Sequence, residues 1–262
     1  DDGELLGYGE RREEGAGAGV EVGGGVGGHR WQSVTQPAGL RVRWAMTEAA
    51  QDPAELFDLV DALGRPLGRT KARGEVHRDG DWHRAVHVWV VNPAEGWVLL
   101  QRRAYTKDTW PGRVDVSVGG HLGAGETDLA ALREAEEEVG VALGPADVRR
   151  LGRVAVARHL PGVIDREVLD VYAAQTALPL EAFRPHPVEL AGVLAVALDD
   201  ALALWSGTRT EAPARCLFDG VVRPVTLRAD ELCGPDGGLR ARALATLVQW
   251  VAGGDPAHWP FP

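Results

Sequence analysis

Residues 119–141 read GGHLGAGETDLAALREAEEEVGV, a glycine-rich turn running into four glutamates in five positions, Glu134, Glu136, Glu137 and Glu138. The spacing predicts a helix from about Asp128 to Val139, closed by Gly140 as its C′ residue. At roughly 100° per residue, Glu134, Glu137 and Glu138 stand at i, i+3 and i+4 and share one face. Leu129, Leu132, Ala135 and Val139 fall on the opposite side, where they can pack on a sheet, and Glu136 points away from the trio. Three carboxylates that close repel one another, and a hard divalent cation removes the conflict. Mg²⁺ suits this role because it takes oxygen ligands and bridges carboxylates to substrate phosphates, with Mn²⁺ as the alternative. A solvated acidic face is the competing reading. The glycine turn directly before the helix favours the ion, since such turns bring backbone close to a metal or phosphate.

The rest of the chain frames this stretch. Its 262 residues, 45% of them hydrophobic, suffice for one substantial domain. A formal charge of -10 argues against a nucleic-acid partner, which would call for clustered Lys and Arg. Two cysteines, Cys216 and Cys233, offer no disulfide framework and read as buried free thiols. No apolar run of about eighteen residues and no secretory leader is found, so a membrane partner is not expected and the cytoplasm is the expected compartment.

Residues 1–45 hold twelve of the 34 glycines and show neither a helical nor a strand period. They read as a flexible leader outside the fold, with Met46 as the natural start of a single domain over 46–262. Hairpins are expected at Glu55–Val60 with Leu63–Arg69, turning on Gly64-Arg65-Pro66, and at Ala85–Val91 with Trp97–Gln101. Val114–Val118 reads as one short strand feeding the glycine turn, and Arg149–Ala157, Val168–Ala174 and Val193–Leu198 as further strands. Asp199–Trp205 and Leu239–Val251 read as helices, the latter amphipathic. From about residue 206 an extension carries a hairpin, Arg215–Leu217 with Val221–Leu227, open to two roles: a cap over the cleft or a homodimer contact. Strands and helices mix without strict alternation, which argues for an α/β fold with a mixed sheet and helices on its faces.

The pattern from Gly120 to Val141 resembles the Nudix box, G-x5-E-x7-R-E-U-x-E-E-x-G-U, where U is a bulky apolar residue. Gly120 and Glu126 have the right separation, and Arg133-Glu134, Glu137-Glu138 and Gly140-Val141 match the second half. The sequence departs twice: six residues instead of seven lie between Glu126 and Arg133, and Ala135 stands at the bulky position. The shortening puts the role of Glu126 in question.

The resemblance implies an α/β/α sandwich and Mg²⁺-dependent attack of water on a diphosphate linkage in a small molecule. By position, Glu134, Glu137 and Glu138 would be metal ligands, joined by the Gly120 carbonyl, and Arg133 would orient a glutamate. The base would be a box glutamate such as Glu137 or a later one, here Glu189, whose alternative is an exposed loop acid. KARGEVHRDGDWHRAVHVWVVN, QRR and KDTWPGRVDVSVGGH are similar to the Nudix branch related to isopentenyl diphosphate isomerase. There Arg84, Arg102, Arg103 and Lys107 would contact the diphosphate, or be surface charges. His83 and His87 have a ligand and a structural role open to them, and Trp82, Trp89 and Trp110 could stack a base or pack. Those isomerases use a cysteine in S-V-C-G-H, whereas this chain has Ser117-Val118-Gly119-Gly120-His121, so hydrolysis is expected over isomerisation. Gly119 is expected to serve a backbone conformation that a side chain would strain. A Nudix domain kept as a binding module is the third reading.

Overall fold

The computed structural model describes the backbone of residues 20–24, 30–35 and 41–45, and residues 52–255 apart from 108, 161 and 235. The chain divides into two compact units, Asp1–Glu48 and Ala49–Pro262. In the first, β1 (Val20–Gly24), β2 (Arg30–Thr35) and β3 (Arg41–Ala45) form an antiparallel meander, with Val20 opposite Val34 and Trp31 opposite Ala45. No strand period announces these strands, because main-chain hydrogen bonds alone define a meander. Met46 lies outside the described residues.

The second unit opens with the expected hairpin, β4 (Leu56–Val60) and β5 (Pro66–Ala72). Its turn is held by Asp61, whose carboxylate accepts the backbone N–H groups of Leu63 and Arg65 at 2.9 and 3.0 Å. α1 (Arg73–Asp79) follows and is not anticipated by the sequence, since Val76 is its sole apolar anchor. Next come β6 (Trp82–Asn92) and β7 (Trp97–Arg103), joined through Gly96 at φ 71°.

The expected strand Val114–Val118 is instead two pieces, β8 (Val114–Asp115) and β9 (Val118–His121). β6 and β7 pair at Val91–Val98 and Asn92–Trp97 and then part. β9 takes the freed edge of β6, with His87 opposite Gly119 and Val86 opposite Gly120, while β8 pairs with β7 at Gln101 and Arg102. Ser117 sits in the crotch of this fork: its hydroxyl accepts the Val90 N–H at 2.8 Å and donates to the Leu99 carbonyl at 2.5 Å. The two glycines therefore lie in a strand rather than in the turn that their composition suggests.

α2 (Arg133–Val139) enters through a 3-10 turn, Ala130–Leu132, so the α-helix starts later than Asp128. The tighter winding changes the phase of the apolar stripe. Leu132, Ala135 and Val139 are buried as expected, whereas Leu129 is 43% exposed. β10 (Val148–Leu160) and β11 (Val163–Gln175) form a long hairpin; β12 (Leu190–Ala197), α3 (Leu198–Trp205), β13 (Glu211–Phe218), β14 (Val221–Arg228) and α4 (Leu239–Val251) complete the chain.

The main sheet runs β10-β11-β6-β7-β12-β13-β14, with only β11 and β6 parallel along that path. Alternate residues of β6 serve two cores. Val86, Val88 and Val90 pack with Leu132, Ala135 and Val139 of the box segment on one face. Ala85, Trp89 and Val91 belong with Leu204, Ala243, Leu244 and Leu247 on the other. This is an α/β/α sandwich on a mixed sheet. The residues after 206 extend that sheet through β13 and β14 and cover a face through α4.

Candidate active site

α2 ends at Gly140, at φ 74°, where a Cβ would stand 2.6 Å from the Cβ of Arg184. The glycine is needed twice over, for its backbone angle and for the close approach. At the other end of the box, Glu134 lies directly on Gly120, whose missing Cβ would come within 2.5 Å of the Glu134 Cγ. Glu138 is buried, and its Oε2 accepts the backbone N–H of Gly119 at 3.3 Å. Glu137 stands outside with its side chain 59% exposed. The trio is thus no evenly solvated face, but grades from a buried carboxylate to an exposed one.

Arg133 gathers the set. Its guanidinium donates to Glu126 through Nε at 3.0 Å and Nη2 at 3.1 Å, and through Nη1 to Glu134 at 2.6 Å and Glu137 at 3.1 Å. Glu126 is therefore within the cluster despite the shortened spacing. Glu189, reached from the loop before β12, forms an ion pair with Lys107.

The positive charge available does not suffice. Burial, followed by the negative charge of Glu134, pushes Glu138 up to about 8. Burial likewise raises Glu134 to about 7 against the pull of Arg133, with Glu137 and Glu189 adding to the rise. A cluster that holds protons this tightly, above a glycine whose absent side chain leaves the space, fits a hard divalent cation with oxygen ligands.

The remaining basic residues separate. Arg84 hydrogen-bonds Asp170 at 3.1 Å. Arg102 is committed to the Gly112 carbonyl at 3.1 Å and to Glu231 at 2.8 Å, and Arg103 to the carbonyl and hydroxyl of Thr109 at 3.0 and 3.1 Å. Of the four, Lys107 is the one whose charge bears on Glu138. Trp89 is a core residue packed edge-on against Trp205, and Trp110 fills the space beside Gly234, where a Cβ would clash. The cysteines are both free.

On the opposite face of β9 lies a group that the sequence reading reached only through His83. His77, His83, His121 and Asp165, from α1, β6, β9 and β11, each offer a ligand atom within 4.8 Å of the others. Nε2 of His77, Nε2 of His83 and Oδ1 of Asp165 are buried without hydrogen-bond partners. Burial holds His77 near 4 and His121 near 3, so the imidazoles are neutral, the form that binds a metal. His77, His83, His121 and Asp165 could hold a metal ion of the kind that accepts nitrogen and oxygen donors. A signal existed, His77 in the last turn of α1, His83 at the start of β6 and His121 in β9, but only the parallel pairing of β6 with β11 brings Asp165 to it. His87 stays outside the group, buried with Nδ1 unpartnered.

Gly119 corrects an expectation. It has no left-handed φ, and a Cβ there would meet its nearest neighbour, the His87 Cδ2, at 3.5 Å, an ordinary contact. Gly120 is the position where a side chain would force Glu134 to move; Gly119 can take one without such a clash.

The profile of the NUDIX domain matches residues 81–216, which is just over half of the chain and contains both β9 and α2. The chain belongs to the Nudix family. It is 43% identical over 145 residues to Nudix hydrolase 3 of Arabidopsis thaliana, covering 53% of this chain and 19% of that protein. It is 34% identical over 149 residues to an uncharacterised Nudix hydrolase of Clostridium acetobutylicum, covering 56% and 71%. An isopentenyl-diphosphate Delta-isomerase of Paenarthrobacter aurescens shares 34% over 138 residues, covering 52% and 73%. Among solved structures, a Deinococcus radiodurans protein is similar at 24% identity with a TM-score of 0.46, over 58% of this chain and 90% of that one. The chain thus spans only a small part of the plant relative and most of the two bacterial ones. No helix among the described residues is long and apolar enough to cross a membrane.

Proposed function

We propose that this Nudix protein is a cytoplasmic, Mg²⁺-dependent hydrolase of a small organic diphosphate, a nucleoside diphosphate linked to a second moiety or a related compound, with Mn²⁺ able to substitute. The observation that carries this reading is the set Glu134, Glu137 and Glu138 over Gly120, with two carboxyls held above their ordinary range by burial and by the neighbouring carboxylates. A divalent cation, when bound by these three side chains and the Gly120 carbonyl, supplies charge for the diphosphate oxygens and acidifies a water.

The chain's own residues do the rest. Arg133 holds Glu134 and Glu137 in place by charge-assisted bonds. Lys107, now on Glu189, turns to a substrate phosphate, and the freed Glu189 takes the proton from the attacking water. Arg102 and Arg103, positioned by their loop contacts, offer further positive charge to the diphosphate. All the site residues named above belong to the unit Ala49–Pro262, so a chain beginning at Met46 is expected to melt and turn over as the full chain does.

The test is a panel of diphosphates with Mg²⁺ or Mn²⁺, scored for phosphate release with and without added phosphatase. Turnover that persists in excess chelator would refute the metal-dependent reading. Isomerisation is the second reading, favoured by the similarity to proteins named isomerase and by the room for a side chain at Gly119. It lacks the thiol, and rearranged isopentenyl diphosphate from the unmodified chain would establish it. Tight binding of diphosphates without turnover would mark a binding module.

A further inference from the structure

Arg84, Arg150 and Arg153, from β6 and β10, converge on one carboxylate. Asp170 of β11 has a fully buried side chain. It accepts Nε and Nη2 of Arg153 at 2.9 and 2.8 Å, Nη2 of Arg150 at 2.8 Å and Nη2 of Arg84 at 3.1 Å. The two-point contact from Arg153 already satisfies and neutralises a single carboxylate. Arg150 and Arg84 then bring two further positive charges. Asp128, 3.7 Å from Arg84, offsets one of them and is itself bound by the Tyr172 hydroxyl at 2.9 Å. Four hydrogen bonds to Asp170 use four of about fifteen guanidinium N–H groups in the trio. The side chains reach solvent to different degrees, with Arg150 48%, Arg153 36% and Arg84 21% exposed.

The position of the trio in the sheet is fixed by register. Arg153 pairs with Asp170, Asp170 with Val86 and Val86 with Gly120, across β10, β11, β6 and β9. Residues in register share a sheet face, so the trio lies on the same face as the box glutamates, with its anchor Asp170 two strand spacings or about 10 Å from Gly120. The start of the box segment stands between them, because Val86 is buried against Leu132.

We propose that Arg84, Arg150 and Arg153, held on Asp170, form an oxyanion site of the phosphoryl class, separate from the glutamate cluster. Planar forks fixed by a buried carboxylate suit a tetrahedral oxyanion in the way that single flexible cations do not. The site goes beyond the diphosphate chemistry of the box and does not depend on it.

The probe is inorganic pyrophosphate, titrated calorimetrically into the full chain in excess chelator, so that the box carries no cation to bridge to it. Saturable binding is expected, weakened about tenfold in Arg150→Gln and in Arg84→Gln and unchanged in Glu137→Gln. Each arginine is replaced singly because Arg153 keeps its two-point hold on Asp170 in both variants, and an unchanged melting temperature confirms that they fold. Absence of saturation, equal binding by both arginine variants and the unmodified chain, or loss of binding in Lys107→Gln instead would overturn the assignment.

Discussion

The guanidinium of Arg133 grips both oxygens of Glu126, at 3.0 and 3.1 Å, across a segment one residue shorter than the family pattern. The same side chain also reaches Glu134 and Glu137. One planar fork therefore joins the loop to the helix, which a point charge cannot do. Arg133→Lys should lower turnover about tenfold while changing the melting temperature little, as the charge remains and the fork is lost. Unaltered kcat in that variant would mean that the fork positions nothing.

The carboxyls of Glu134 and Glu138, raised to about 7 and about 8, bind protons more tightly in the folded chain than in the unfolded one. Stability from this source falls as pH rises from the ordinary carboxylate range to about 8. His77 and His87 near 4 and His121 near 3 work in the opposite sense, raising stability up to their unfolded value of 6.5. In chelator the melting temperature should therefore peak near pH 6.5 and fall by pH 8.5, a fall to which the buried Asp165, also raised, contributes, and millimolar Mg²⁺ should reduce it. Calorimetric melts across this range decide it; an alkaline limb that ignores Mg²⁺ would contradict the cation site.

Glu138 and Glu137 should respond differently to the same replacement. Glu138→Gln removes a buried, under-compensated charge and can keep the hydrogen bond from Gly119, so in chelator at pH 8 it should melt higher than the unmodified chain. Glu137→Gln, on an exposed side chain, should leave the melt unchanged. Each should cut turnover by about a hundredfold or more through loss of metal charge. A destabilised Glu138→Gln would show that the carboxylate is better compensated than its surroundings imply.

Adjacent glycines on β9 should tolerate alanine unequally. Gly119→Ala meets its nearest atom at 3.5 Å and should cost less than about 1 kcal/mol. Gly120→Ala drives a methyl to 2.5 Å from Glu134, so the carboxylate must move and activity should be lost even where the fold survives. Parallel melts and rate measurements separate the two, and equal behaviour would refute the cradle.

The fold was largely legible because hairpins and amphipathic helices are local patterns. β4 to β7, β13, β14 and α4 follow from alternation, turn residues and period. What escaped depends on contacts far along the chain. The fork of β8 and β9 exists because β6 and β7 separate, which no window around Val114 reveals. α1 carries a single apolar anchor, too little for a period to register. The box glutamates were readable from spacing, but their grading from buried Glu138 to exposed Glu137 comes from how α2 sits on β9. Arg102 and Arg103 stand open in the sequence as diphosphate contacts or surface charges, and composition cannot connect them to Glu231 and Thr109, which they reach in the fold.

The parallel pairing of β6 with β11 places the whole box inside a crossover connection. Antiparallel hairpins such as β6–β7 close short loops early, whereas this pairing must first pay the entropy of closing the long span that contains β7, β9, α2 and β10. Glu167 comes beside His83, and Asp170 beside Val86, only in that closed state. The box helix thus lies inside one of the long-range closures of the sheet, and a nascent chain that has made its hairpins but not yet docked β11 would lack both the histidine–aspartate group and the arginine trio on Asp170.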